Sequence, residues 1–264
     1  MLRDITIGQY YSVSSPIHKM DPRFKIVASM LYLVSLFLIN DLIAYLAIIA
    51  FIGMVVKVSK VPFNFILKGL KPVFMLIIFA FLINVFLTSG EGEPLIHFGF
   101  IKIYLEGLER AVFMAVRLVL LIIGTSLLTL TTSPIELTDG IEYLLNPFKK
   151  IGLPAHELAM MMTIALRFIP TLLEETDKIM KAQMARGADF ESGNIMNRAK
   201  ALIPLLVPLF ISAFRRADEL AMAMEARCYR GGEGRTRMKV LKYTRLDLMG
   251  AVIMLVYLTI CILI

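Results

Sequence analysis

The sequence predicts an all-α integral membrane protein, with about five transmembrane helices and a helical cytoplasmic domain built on two long helices. Three observations carry that prediction. Of the 264 residues 58% are hydrophobic and the mean hydropathy is +0.75, too apolar for an ordinary soluble domain. The apolar residues fall in long runs of near-spanning length. The basic residues, which give a net charge of +7, gather in alternate loops, as orientation in a bilayer requires.

Residues 1–25 are polar, hold Lys19, Arg23 and Lys25, and carry turn signals at Ser15-Pro16 and Asp21-Pro22. Met1-Leu-Arg-Asp leads into polar sequence, so a signal peptide is not expected. An apolar run from Ile26 to Ile39, a break at Asn40-Asp41 and a second run from Leu42 to Val56 read as a hairpin of two short spans. One span through both would place Asp41 at the bilayer centre, at a cost. Lys57, Lys60, Lys68 and Lys71 mark the next loop as cytoplasmic. A third span is expected over Pro72–Thr88. The loop after it, with Glu91, Glu93 and Glu106 against Lys102, is expected outside. A fourth span covers Leu108–Leu130 and contains Arg117, which either pairs functionally or snorkels to the outer interface.

From Thr131 to Tyr243 the chain stays helical in composition but carries 16 of the 28 basic residues together with 13 acids. Leu246–Ile264 is long and apolar enough for a last span. The division is therefore 1–131 (N-terminal segment and four spans), 132–243 (cytoplasmic helical domain) and 244–264 (last span). The N-terminus is placed in the cytoplasm and the C-terminus outside.

Within 132–243, Ser133 is an N-cap with Pro134 at the first helical position and Glu136 in the first turn, and that helix stops near Asn146-Pro147. Gly152-Leu-Pro154 breaks the chain. A helix of about 31 residues, roughly 45 Å, then runs Ala155–Ala185 with Pro170 as a kink, and a third runs from Ile195 or Pro204 to Ala226. Glu174–Lys178 and Asp177–Lys181 are favourable i,i+4 pairs. Leu158–Leu166 and Ala201–Phe214 are apolar. Each long helix thus starts apolar and ends charged, which places its start near the bilayer and its end toward the cytosol.

Those two ends repeat one pattern. Asp177, seven residues, Ala185-Arg186 is matched 41 residues later by Asp218, seven residues, Ala226-Arg227, with a further Ala four residues before each Arg (Ala182, Ala223). Gly187 follows the first copy and Cys228 the second. A cation in a last helical turn complements the helix dipole by about 0.3–1 kcal/mol, which accounts for one Arg. It does not account for a matched upstream Asp and Ala. Two equivalent ends suggest two equivalent receptors, each a groove entered by the small residues while the guanidinium forks onto a carboxylate. The 17 methionines, Met160-Met161-Met162, Met180, Met184, Met222 and Met224 among them, serve either core packing or an adaptable partner surface.

The chain shows no paired catalytic carboxylates, no Ser/His/Asp set and no phosphate-binding glycine loop. Two cysteines and three scattered histidines (His18, His97, His156) make no disulfide framework or metal cluster. Basic residues form no aromatic-laced stripe, so nucleic acid is not expected as a partner. Any ATP energy must be borrowed from another chain.

Taken together, Ala185-Arg186-Gly187 and Ala226-Arg227-Cys228 resemble the paired Ala-Arg-Gly signatures of the transmembrane T component of energy-coupling factor (ECF) transporters, an EcfT-type, CbiQ-like family. His18-Lys-Met-Asp21-Pro22-Arg23-Phe-Lys25 and Arg167-Phe168-Ile169-Pro170 with Glu174 are similar to further elements of that family, in the same order. Cys228 departs from the glycine usual there. The resemblance implies a scaffold that joins two ABC-type ATPases, identical or different, to a membrane substrate-binding S component for uptake of vitamins or similar micronutrients. It implies ATPase docking at Ala185, Arg186, Gly187, Ala226, Arg227 and Cys228, and S-component contact at Met160, Met161, Leu205, Leu206 and Leu209. It implies no cofactor on this chain, ATP being used by the partner ATPases, and no catalytic residue. The alternatives are the cobalt/nickel-uptake version of the family, a permease of another ABC class that itself forms the path, and a membrane-bound enzyme such as a lipid-modifying transferase.

Overall fold

The structure, a computed structural model, describes residues 10–39, 41–87, 96–98, 101–188, 190, 195–232 and 240–263. The helices are α1 (Pro22–Leu38), α2 (Leu42–Ser59), α3 (Phe63–Leu70), α4 (Phe74–Leu87), α5 (Leu105–Thr131), α6 (Pro134–Leu145), α7 (Ala155–Ala185), α8 (Ile195–Ala226) and α9 (Arg245–Leu263). The fold is all-α, as the sequence predicts, with one small addition. Strands β1 (Ile96–Phe98) and β2 (Ile101–Ile103) pair antiparallel within the expected outer loop, His97 opposite Lys102. Glu91, Glu93 and Asn40 lie outside the described residues.

By length and composition α5, α7 and α9 can each cross a membrane, and α3 with α4 passes as a pair bent by 59°. Helices α1 and α2 have 17 and 18 residues, about 26 Å each, slightly under the hydrocarbon thickness. They are two helices broken around Asp41, as the hairpin reading has it. Helix α3 was expected as loop: Pro62 ends the preceding extended stretch, and Ile66, fully buried, pulls the segment into a helix against α5.

The chain divides into two compact units. One combines residues 8–141 with 241–264; the other contains residues 142–240. In the first, α5 packs on α1, α2, α3 and α4, and α9 packs on α1 and α2. Its centre is Tyr32, Phe51 and Tyr257, with Phe51 and Tyr257 stacked at 4.2 Å. Ser35 Oγ donates to the Tyr32 carbonyl (2.7 Å) and stands 2.7 Å from the Tyr257 hydroxyl, while Tyr32 donates to the Leu120 carbonyl (3.0 Å). Tyr32 reaches Leu120 because Gly124 leaves the space; a Cβ there would stand 2.3 Å from the Tyr32 ring. Arg117 is tied inward: Nε donates to Tyr45 Oη (2.8 Å) and Nη2 to the Ile39 carbonyl (3.0 Å), satisfying a carbonyl freed where α1 ends.

The His18–Lys25 stretch, so far known only by its resemblance, acquires a physical role. Asp21 caps α1, accepting from Arg23 N (2.9 Å), with Pro22 at the first helical position, so the expected turn is a helix start. The Arg23 guanidinium grips both Asp21 oxygens (3.0 and 2.8 Å) and lies 4.3 Å over the Tyr243 ring. Asp21 N donates to Asp247 Oδ1 (2.7 Å), and Asp247 also accepts from Thr244 at the start of α9 (2.6 and 2.8 Å). Lys25, in the first turn of α1 ahead of the apolar run, donates to the Thr131 carbonyl at the end of α5 (2.9 Å). One polar knot thus fixes the starts of α1 and α9 and the end of α5. Burial works to raise the Asp21 carboxyl, but the hydrogen bonds and charge of Arg23 outweigh it and hold it below the ordinary value. Burial also lowers Lys25, to about 8, against the pull of Glu136 and Asp247.

Candidate functional site

The two Ala-Arg ends lie in the 142–240 unit, and their backbones are the same. At the first, Arg186 is the C-cap of α7, Gly187 N bonds Met184 O (3.0 Å) and Ala188 N bonds Gln183 O (3.0 Å). At the second, Cys228 N bonds Glu225 O (2.9 Å) and Tyr229 N bonds Met224 O (3.0 Å). Both are Schellman caps, which need a left-handed residue just after the C-cap. Gly187 supplies it with φ +88 and Cys228 with φ +57. Glycine takes that conformation freely, whereas cysteine takes it against its Cβ. The substitution that breaks the sequence signature therefore preserves its geometry. Ala185, Arg186, Gly187, Ala226, Arg227 and Cys228 are all exposed, and neither guanidinium is hydrogen-bonded among the described residues.

The partnering of α7 and α8 sets where these ends lie relative to each other. Ser212 Oγ donates to Glu175 Oε1, and Arg216 Nη2 donates to Glu175 Oε2 (3.0 Å). Farther along, Tyr229 reaches Met160 Sδ (2.9 Å). As α7 runs forward, α8 runs back, so the pair is antiparallel. The charged end of α8 therefore lies beside the apolar start of α7. Met160 and Arg186 are 26 residues apart, about 40 Å of helix, so the two Arg ends sit at opposite ends of one pair.

Glu175 stands 11 residues before Arg186, and Arg216 stands 11 before Arg227. The ionic link between the helices thus joins equivalent positions of the 41-residue repeat. Between the helices a groove is lined by Met160, Ile164, Phe168 and Leu172 of α7 and by Ala217 and Leu220 of α8. The Asp177–Lys181 pair forms at 2.8 Å on an exposed face, where it contributes about 0.3–0.5 kcal/mol.

A family profile described as cobalt transport protein, CbiQ, matches residues 13–238. A Clostridium kluyveri protein named energy-coupling factor transporter transmembrane protein EcfT is 63% identical over 263 residues, covering 100% of this chain and 97% of that one. Proteins of the same name are similar in Acidaminococcus fermentans, 59% identical over 97% of this chain and 94% of theirs, and in Bacillus subtilis, 53% over 94% and 93%. The chain belongs to this CbiQ/EcfT family.

For a CbiQ/EcfT member, the remaining sequence-predicted residues fall in three classes. Met161 and Leu206 are exposed (58% and 43%), Met160 and Leu209 are half-buried, and Leu205 is buried (6%). Leu205 therefore serves packing within the protein, and the surface open to a partner on α8 is Leu202, Ile203, Leu206, Val207, Phe210 and Phe214. Two features escape sequence reading. The Glu175–Ser212–Arg216 link needs residues 37 and 41 apart, although the repeat spacing was in principle its signal. The His156–Glu142 pair (3.0 Å) joins a histidine dismissed for lack of a metal cluster to a glutamate of α6. Among the described residues no group of three His, Cys, Asp or Glu stands together as a metal site.

Proposed function

We propose that this chain is the energy-coupling T component of an ECF-type importer, a non-catalytic scaffold between two ABC-type ATPases and a membrane S component. The observation that carries the reading is the pair of equivalent capped helix ends, each presenting an exposed Arg, held roughly 33 Å apart at opposite ends of one antiparallel pair. A single groove cannot receive both. Two subunits of an ATPase pair, identical or different, can receive one each, the small Ala and Gly or Cys beside each Arg allowing close approach and the guanidinium gripping a carboxylate. The reading has residues 132–243 in the cytoplasm, the N-terminus inside and the C-terminus outside. The exposed apolar face of α8, with Met161 of α7, would support the S component, which sets which vitamin or micronutrient is carried. ATP is bound and split by the partner ATPases, and this chain needs no cofactor.

The test is Arg186→Glu with Arg227→Glu. The doubly substituted chain is expected to insert normally and lose most of its co-purifying ATPase, each single variant losing part. Undiminished ATPase recovery with the double variant refutes the docking role.

A further inference from the structure

The two capped ends are alike in backbone but not in what holds them. We propose that Tyr229 is a positioning residue that clips the second Ala-Arg end to the start of α7 and the end of α6, whereas among the described residues the first end has no such clip. This rests on the docking reading for its consequence, though not for its geometry.

Tyr229 is the second residue past the C-cap, and its amide is already fixed to Met224 O (3.0 Å). The left-handed turn at Cys228 brings its side chain onto α7. There the hydroxyl donates to Met160 Sδ (2.9 Å) and stands 3.4 Å from His156 Nε2. The other imidazole nitrogen, Nδ1, is 3.0 Å from Glu142 Oε1. A carboxylate only accepts, so Nδ1 carries a proton toward Glu142. The chain then passes directly over the imidazole: a Cβ at Gly232 would stand 2.6 Å from His156 Cδ2. Two contacts, at Met160 and at His156, thus fix the segment that carries Arg227, and Glu142 in turn holds His156.

At the matching position of the first end stands Ala188. Its amide closes the same cap, but its methyl reaches nothing comparable. Arg186 is joined to the rest of the protein through its own helix and its partner α8. The difference is written in the sequence as Tyr against Ala at the second place past each Arg.

The clip ends on α6, which continues from α5 through Thr132 and Ser133. A displacement imposed at Arg227 therefore enters the α6 chain through Tyr229 and His156, without passing along the length of α7. A displacement at Arg186 must travel through α7. The second end thus has the shorter lever, through His156 into α6, and the first has the longer one, through α7.

Amide hydrogen exchange on the purified full-length chain tests the geometry. The amides of Cys228 and Tyr229 are expected to exchange several-fold more slowly than those of Gly187 and Ala188. Tyr229→Phe, which keeps the ring and removes the hydroxyl, is expected to erase that difference while leaving Gly187 and Ala188 unchanged. Equal exchange at the two caps, or a Tyr229→Phe chain with the difference intact, overturns the clip. This measurement does not involve the ATPases, so it stands or falls apart from docking. In the reconstituted complex, Tyr229→Phe is expected to keep both ATPases bound but to lower substrate taken up per ATP split by several-fold. An unaltered ratio in both Tyr229→Phe and Tyr229→Ala overturns the lever.

Discussion

Replacing Cys228 by glycine should tighten the second cap, because the native residue holds a left-handed backbone (φ +57) that its Cβ opposes. That conformation costs an L-residue about 1–2 kcal/mol. Glycine removes the cost but gives the unfolded chain more freedom, which takes back about 0.4–1 kcal/mol. The net gain is about 0.5–1 kcal/mol, or roughly a two- to five-fold change in a local opening equilibrium. The reverse exchange, Gly187→Cys, should cost a similar amount at the first cap. Space is not the issue there, since a Cβ at Gly187 would meet nothing within 4 Å. The cost is purely one of backbone. The assay is exchange of the amides that close each cap, Tyr229 for the second and Ala188 for the first, in the same purified preparation. Slower exchange at Tyr229 in Cys228→Gly and faster exchange at Ala188 in Gly187→Cys are expected, each by the same two- to five-fold. If both variants leave exchange unchanged, the left-handed residues are not what holds the caps, and the equivalence of the two ends loses its structural basis.

Gly124→Ala forces a Cβ to 2.3 Å from the Tyr32 ring; overpacking of about 1–3 kcal/mol should lower the melting temperature of the purified protein, and an unshifted melt would show that α1 and α5 have room to part. His18 is held neutral: burial lowers its pKa first and the nearby Lys25 charge adds to this, against the bond from Nε2 to the Tyr11 carbonyl (2.9 Å). A group depressed below its ordinary 6.5 contributes stability above that pH and loses it as pH falls below, so melting temperature should drop between pH 7 and 5, and His18→Gln should flatten that drop. Phe210→Asp on the exposed face of α8 should release the S component while the ATPases stay bound, as co-purification would show.

Helix ends were legible because short-range chemistry marks them. Ser133 accepts from Glu136 N (3.3 Å) just where a Ser-Pro start predicts it, and Gly152 and Gly187 turn left-handed where the glycines stand. The start of the third cytoplasmic helix was open between Ile195 and Pro204; α8 begins at Ile195 and runs through both prolines. The direction of α8 against α7 was not legible. It depends on which residues meet across 37 to 73 positions of sequence, and composition cannot say which end of one helix lies beside which end of another. The same holds for Lys25, whose partner is a carbonyl 106 residues away. Arg117, left open between pairing and snorkelling, is decided by a main-chain carbonyl 78 residues distant. The repeat itself was fully visible, and Cys228 looked like a defect in it because a one-letter code does not record φ.

The repeat and the antiparallel pairing together impose a relation that neither imposes alone. When two copies of a pattern run in opposite directions and touch at the same position of each copy, the contact lies on a local two-fold axis of the pattern. Glu175 and Arg216 are such a pair, each 11 residues before its Arg, or about 16 Å of helix. Both Arg ends are therefore at equal reach from one ionic link and face opposite ways. An ATPase pair has its own two-fold arrangement, and a scaffold with matching local symmetry can meet both subunits with the same contact. On the docking reading, equal movements of those subunits would act on the link as a turning couple, with no net push along either helix. What breaks the symmetry is Tyr229, which makes one arm stiff where the other ends in Ala188. A symmetric input can then give an asymmetric output, and tilting one membrane partner on one side requires an output of that kind.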